Sequence, residues 1–428
     1  MENIMRTLMS APPTGRVGRY PKHPFLTQEK PFTAQPFFLA RVLPGETLQN
    51  LRLESRVITD PIKNSIIGWS KEYYVFYVKV SDLMIDAIKD MFIDPTNAEI
   101  TGQDAATNVQ RTYTPQGGID WTGMCLTRIV ETYFRDEGET AASHALADGT
   151  PMVQIRQNSF LDSITDKDEI PEGAAISTAT DAGDLDRLMD AFEMARSLGM
   201  ANMSYEDFLR GYGINIPDKD EDKPELIDRW KDWQYPSNTI NPATGAPSSA
   251  CSWVFKNGSR DPKFFKEPGF LVGISVTRPK VYMGNLSGSA ASFAKRAWDW
   301  MPNYLMAYPE AALKQFGVDA GPLGVRTTDT DSYWIDMRDE LLYGDQFQNM
   351  HAFDAAGATA NTDGSNNLFG LPLTDFTWKY PTEAMINSLF VQDDGSGRIR
   401  QDGYVGLSIK GAQGASPVDY TMGNIAET

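Results

Sequence analysis

The chain has 428 residues, of which 41% are hydrophobic and 22% charged, the balance of an ordinary globular protein and not of a disordered one. Its net charge of −18 excludes a general affinity for a phosphate lattice, so any contact with nucleic acid has to come from a local basic patch. Cys125 and Cys251 lack metal-ligand spacing and predict reduced thiols. No apolar stretch has the length of a membrane span or signal peptide, which predicts a soluble chain made in the cytoplasm.

Residues 1–35 read as an extended basic arm. Pro12, Pro13, Pro21, Pro24 and Pro31, with Pro36 just beyond, oppose a regular helix or a central strand. Up to Lys22 the charges are Arg6, Arg16, Arg19 and Lys22 against Glu2 alone. Those four cations are the candidate nucleic-acid contacts. The bland readings are a solvated tail or an arm wrapped around a neighbouring subunit. Four charges neutralise only a few phosphates, so a longer nucleic acid would need a separate basic partner or small cations as well.

Residues 36–139 form the first structural block, opening with extended stretches joined by a polar loop. Pro44-Gly45 supplies a turn, and Leu48, Leu51, Leu53 and Val57 then alternate in part with polar residues, as in a half-buried strand. The run 73–80 is aromatic and β-branched apart from Lys79, which suits a strand buried on both faces. Helices follow at 81–92, capped by Ser81 or Asp82, and at 122–134, closed by Gly138.

Residues 140–260 read as an insertion with its own small helical core. Amphipathic helices are predicted at 184–198 and 204–210, followed by a charged run at 218–232 and a Pro/Ser/Thr/Gly-rich stretch at 238–249. Such a projection suits contact with a partner or a neighbour, or plain scaffolding. Residues 261–428 return to strands. A strand at 270–283 carries Pro279 as the mark of an edge or bulge, and helices are predicted at 291–300 and 309–316. Residues 332–344 fit a short helix or strand equally, and strands at 389–392 and 404–410 form a hairpin around the turn at 393–397. Trp298, Trp300 and Tyr304 read as packing anchors.

Three segments carry a resemblance. Val42-Leu43-Pro44-Gly45-Glu46-Thr47, a spacer with Arg56 and Asp60-Pro61, and the aromatic strand at 73–78 resemble the opening of microvirus major capsid proteins. The segment at 128–138, RIVETYFRDEG, resembles that family's helix followed by FRDE, and 267–273, EPGFLVG, resembles its glycine-started strand. Glu46 stands where the family has Asp, and nothing at 150–250 matches. The resemblance implies a mainly β fold, an eight-stranded antiparallel jelly-roll sandwich with large loop and helical insertions. It also implies a capsid subunit that self-assembles, 60 copies to a T=1 icosahedral shell in the virion, around single-stranded DNA. The implied partners are a spike protein, scaffolding proteins and a small basic DNA-condensing protein.

No nucleotide-binding glycine motif, zincin motif or nucleophile elbow occurs, and His23, His144 and His351 are scattered, so no catalytic residue, metal ligand or cofactor is assigned. The oxygen-rich runs at 361–366 and 393–397 lack the alternating acids of a calcium loop. Two alternatives stand beside the capsid: a carbohydrate-active β-sandwich enzyme or lectin, and the coat protein of a tailed phage.

Overall fold

The structure, a computed structural model, describes residues 17–62, 68–83, 118–135, 139–154, 164–166, 223–240, 247–279, 300, 313–317, 332–336, 380–391 and 398–411. Over these the chain is mainly β, with antiparallel sheets and few helices. The first strands are β1 (Val17–Arg19), β2 (Lys22–Glu29), β3 (Gln35–Val42), β4 (Thr47–Thr59) and β5 (Trp69–Lys79). After helix α1 (Trp121–Tyr133) come β6 (Ile164–Asp166), β7 (Glu225–Gln234), β8 (Ser237–Ile240), β9 (Pro247–Ala250) and β10 (Ser252–Ser259). Then follow β11 (Lys263–Phe264), β12 (Gly269–Pro279), β13 (Leu313–Gly317), β14 (Ser332–Asp336), helix α2 (Glu383–Ser388) and β15 (Ile399–Gly411).

Two sheets make a sandwich. In the first, β15 and β4 lie in the middle, β1 and β2 pair with β15, and β10 and β11 pair with β4. The second runs β3-β12-β5-β7. Aromatic side chains join them across the core. The Tyr73 ring of β5 meets Phe255 of β10 edge-on at 4.8 Å, and Phe37 of β3 lies 5.0 Å from Phe25 of β2. On β4 the two-residue period turns Leu51, Leu53 and Val57 inward and Arg52, Arg56 and Ile58 outward. Leu48 breaks that period yet is buried, because a register shift opposite Ser408/Ile409 inserts Gln49 as an extra residue.

The strands β5 and β12 are buried along their whole length because both sides of their sheet are covered. Helix α1 lies on the outer side: Tyr133 packs on Phe76 at 5.0 Å, Phe134 on Tyr74 at 5.5 Å and Trp121 on Phe270 at 5.1 Å. Asp120 caps this helix by accepting the Gly123 N–H at 3.0 Å, so it begins one residue before the predicted start. Past its end, Arg135 is fully buried and donates to the carbonyls of Phe134, Thr140 and His144 with its guanidinium over the Tyr380 ring. Arg135 ties the segment at 139–154 to the start of α2. Both cysteines are buried and unbridged.

Several expectations are corrected. Residues 17–35 are no free arm: β1 and β2 pair with β15, and Phe25, Glu29 and Phe32 are buried. The prolines permit this because both are outer strands, where a missing N–H breaks no ladder on the solvent side. The region 140–260 is no pure insertion, since β7 and β10 are full strands of the two sheets; the charges of β7 had masked a strand whose outer edge is solvated. Pro279 ends an interior strand, and the bulge of this ladder falls instead between Gly273 and Ile274, opposite Phe38 and Pro36. Leu313–Gly317 is a strand paired with β14, not part of a helix, because tertiary pairing overrides a weak local preference. Phe390 makes an isolated bridge to Ile62 after α2 and does not pair with β15, so the predicted hairpin is absent among the described residues.

Ser81–Leu83 is a 3-10 helix in which Asp82 accepts the Lys79 N–H at 2.8 Å, closing the turn behind it. The helices expected at 184–198, 204–210 and, but for Trp300, 291–300, the rest of 81–92, Gly138, the oxygen-rich runs at 361–366 and 393–397, Trp298, Tyr304 and His351 lie outside the described residues; Trp300 is 77% exposed and is no packing anchor.

Two glycines have a local cause. Gly45 takes φ +83° in the β3–β4 turn, a conformation other residues adopt at a cost. At Gly269, where β12 starts, a Cβ would lie 2.4 Å from the Val78 carbonyl oxygen and 2.8 Å from the Tyr77 ring. Gly269→Ala should therefore push β12 off β5 and lower the unfolding free energy by about 1–3 kcal/mol, read as a lower urea midpoint at unchanged slope.

Candidate nucleic-acid interface

The two sheets are held in one relative register by polar groups in their shared core. Glu29 of β2 and Lys71 of β5, both 0% exposed, form an ion pair at 2.5 Å. Thr277 of β12 donates to the same carboxylate, and Ser275 donates to its other oxygen at 2.7 Å. Gln401 of β15 donates to Ser275 Oγ at 2.8 Å and to Thr27 Oγ1 at 2.7 Å, and accepts from the Tyr73 hydroxyl at 3.1 Å. Ser55 of β4 closes the set on the Tyr73 hydroxyl at 2.8 Å. Burial pulls the Lys71 ammonium below its ordinary pKa, with Glu29 opposing.

The outer side of the second sheet carries a second buried carboxylate. Glu72 faces Arg278 at 3.0 Å, Lys231 at 3.2 Å and Arg229 at 3.5 Å, and accepts from the Tyr74 hydroxyl. Burial alone raises its pKa, but the three cations and the hydroxyl outweigh it and hold the carboxyl at about 2. This face is closed by packing and offers no open surface at Glu72, which is 1% exposed.

The outer side of the first sheet is different: its described side chains are largely exposed. The ladder registers set its side chains in rows. One row reads Leu26, Asp402, Arg56, Val254; the next on one side reads Gln28, Arg400, Ile58, Ser252. On the other side follow Pro24, Tyr404, Glu54, Lys256 and then Lys22, Gly406, Arg52, Gly258. Beyond the bulge, Lys410, Thr47 and Phe264 share a row. Lys22, Arg52, Arg56, Lys256, Arg400 and Lys410 thus stand against Glu54, Asp402 and, beside Arg400, Asp60, a cationic excess in a chain of net charge −18. Arg52 pairs with Glu54 and Arg400 with Asp60, both pairs being exposed enough for weak coupling. Leu26 is 82% exposed and Val254 66%, with Ile58 and Phe264 also exposed.

Of the four predicted contacts, Arg6 and Arg16 lie outside the described residues. Arg19 is turned to a structural use: its guanidinium donates twice to Glu46, at 2.8 and 2.7 Å, and once to the Arg41 carbonyl at 2.9 Å. Glu46 also accepts the Leu43 N–H at 2.8 Å, so the glutamate of the turn motif pins β1 to the β3–β4 turn. Lys22 stays exposed, 5.7 Å from the Tyr404 ring, on the outer face of the first sheet. The five further cations of that face were missed because they are spread over β4, β10 and β15, which lie far apart in sequence. The available signal was charge at alternate positions, as in Arg52, Glu54, Arg56. No protein-family model matches the chain, and no curated protein matches its sequence.

Two outcomes test the buried electrostatics. Lys71→Met strands the Glu29 carboxyl in the core and should cost about 3–5 kcal/mol in chemical denaturation, part of which Glu29→Gln recovers in the double variant. The folded Glu72 carboxyl titrates near 2 against 4.5 unfolded, so its contribution is complete above about pH 4.5 and is lost as pH falls toward 2. Unfolding free energies from urea titrations across that range should fall by on the order of 3 kcal/mol more in the native chain than in Glu72→Gln.

Proposed function

We propose that this protein is a coat subunit: a jelly-roll sandwich that assembles edge to edge into a closed icosahedral shell around a single-stranded DNA phage genome. The observation that carries this reading is strand order. With β2, β3, β4, β5, β7, β10, β12 and β15 counted as first to eighth, the sheets run 1-8-3-6 and 2-7-4-5. That is the order expected of two Greek keys rolled together, an architecture used by viral capsid and lectin domains among others. Chain segments far from each other in sequence become neighbours, and long stretches of chain separate β5 from β7 and β12 from β15.

Two sequence features support the capsid use over the others. The motif residues of the microvirus resemblance fall on positions with structural work: Glu46 pins the β3–β4 turn, Phe134 packs on Tyr74, Arg135 gathers three carbonyls and Gly269 lets β12 approach β5. The strong negative charge keeps finished particles apart in solution, while the cationic sheet face is confined to one side. Function in this reading is assembly, in which identical surfaces meet under closed symmetry, and no chemical step is required of the chain. The spike, scaffolding and small basic DNA-condensing partners belong to the same proposal, as does a virion location.

The expressed protein should form particles of megadalton mass, about 3 MDa for roughly 60 copies of a 47.6 kDa chain, seen by negative-stain microscopy and light scattering. A chain that stays a monomer or small oligomer under every condition, with or without nucleic acid, removes the reading.

A further inference from the structure

We propose that the outer face of the first sheet, rather than the N-terminal segment, is where this protein holds single-stranded nucleic acid, with Lys22, Arg56, Lys256 and Lys410 on phosphates and Tyr404 and the exposed apolar side chains on bases. The inference deepens the coat-subunit reading and rests on it for the identity of the strand; its location rests on the charge map alone.

Three observations carry it. First, the sign of the face is opposite to that of the chain. The cations come from β2, β4, β10 and β15, four stretches scattered over the sequence, and the ladder registers alone bring them to one surface. An anionic polymer is the chemical complement of such a lattice, since each neutralised phosphate releases a condensed counterion. Second, Arg52 and Arg400 are paired with Glu54 and Asp60 and are left out of the phosphate set, which without them still draws one cation from each of β2, β4, β10 and β15. Third, the face is not purely polar. Leu26, Ile58, Val254 and Phe264 stand out from it between the cations, and the Tyr404 ring lies beside Lys22.

The apolar component decides between single and double strands. A duplex keeps its bases inside and would press phosphates onto Leu26, Ile58 and Val254, which desolvates charge against hydrocarbon. A single strand can turn its bases onto those side chains while its phosphates reach the lysines and Arg56, the pattern of sequence-tolerant strand binding. Arg19 is excluded from this role by its bidentate pair with Glu46.

The test uses the full chain and a fluorescent 30-mer of oligothymidylate, with anisotropy read from 25 to 300 mM salt. Four phosphate contacts predict a slope of log K on log salt of about −3. The variant Lys22→Gln, Arg56→Gln, Lys256→Gln, Lys410→Gln should bind at least about tenfold more weakly at low salt, with its slope moved toward zero. The variant Arg6→Gln, Arg16→Gln should stay within about twofold of the native chain. If the fourfold variant fails to fold, the pairs Lys22→Gln, Lys410→Gln and Arg56→Gln, Lys256→Gln each should remove about half the slope. Native-like binding by the face variants, or loss of binding on changing Arg6 and Arg16, overturns the proposal. A duplex of equal length that binds as tightly as the single strand overturns the single-strand assignment. The two proposals fail separately. Strand binding lost from the face variants of a chain that never forms particles sinks the coat reading and keeps the face. Particles of the fourfold variant with native DNA content sink the face and keep the coat.

Discussion

The contact on which the architecture depends is the ion pair of Glu29 with Lys71, buried between the sheets and completed by Ser275, Thr277 and Gln401. Apolar packing alone tolerates sliding of one sheet over the other, because hydrophobic attraction has no direction. A buried charge pair does not tolerate it: displacement by a few ångströms leaves two desolvated charges without partners. The set draws on β2 and β15 from one sheet and β5 and β12 from the other, so it fixes how the two halves face each other. A hydrophobic replacement of similar volume can match such a pair in stability, and its distinctive contribution here is to the uniqueness of the arrangement.

Once the sheets are fixed, the rest of the surface divides by necessity. The second sheet turns β5 and β12 toward α1 and the segment at 139–154, and its outer face is filled by Tyr74, Phe76 and the neutralised Glu72. Among the described residues the first sheet has no such cover, and its outward positions carry charge. The same two-residue period that buries Leu51, Leu53, Val405 and Leu407 exposes Arg52, Arg56, Asp402 and Tyr404 to a different degree on the other side. Sidedness of this kind suits a shell subunit, which needs an inside and an outside.

The glutamate in the turn motif shows how one residue links local and tertiary order. Within its turn it accepts the Leu43 N–H, the capping chemistry expected of a short-range acid. Across 27 residues it takes both donors of the Arg19 fork, a geometry that matches a carboxylate in two parallel bonds. The turn therefore anchors the strand that precedes the sandwich, and the basic N-terminal segment enters the structure at a defined point.

Much of the core was legible in the chain itself. The run at 73–80 announced a doubly buried strand, Leu48 to Val57 announced a half-buried one, and Pro44-Gly45 announced the turn, because side-chain period and turn chemistry are local properties. Nothing local marked β7, β13 or the partners of β15, since a charged outer strand and a short ambiguous one acquire their conformation from the ladder they join. The cationic face was likewise invisible, for its six members lie between residues 22 and 410 and are neighbours only through strand register. The order of residues along the chain thus determines which side chains alternate in and out. Which of those sides remains open to a partner is settled only when the sheets pair, because coverage is a property of neighbours distant in sequence.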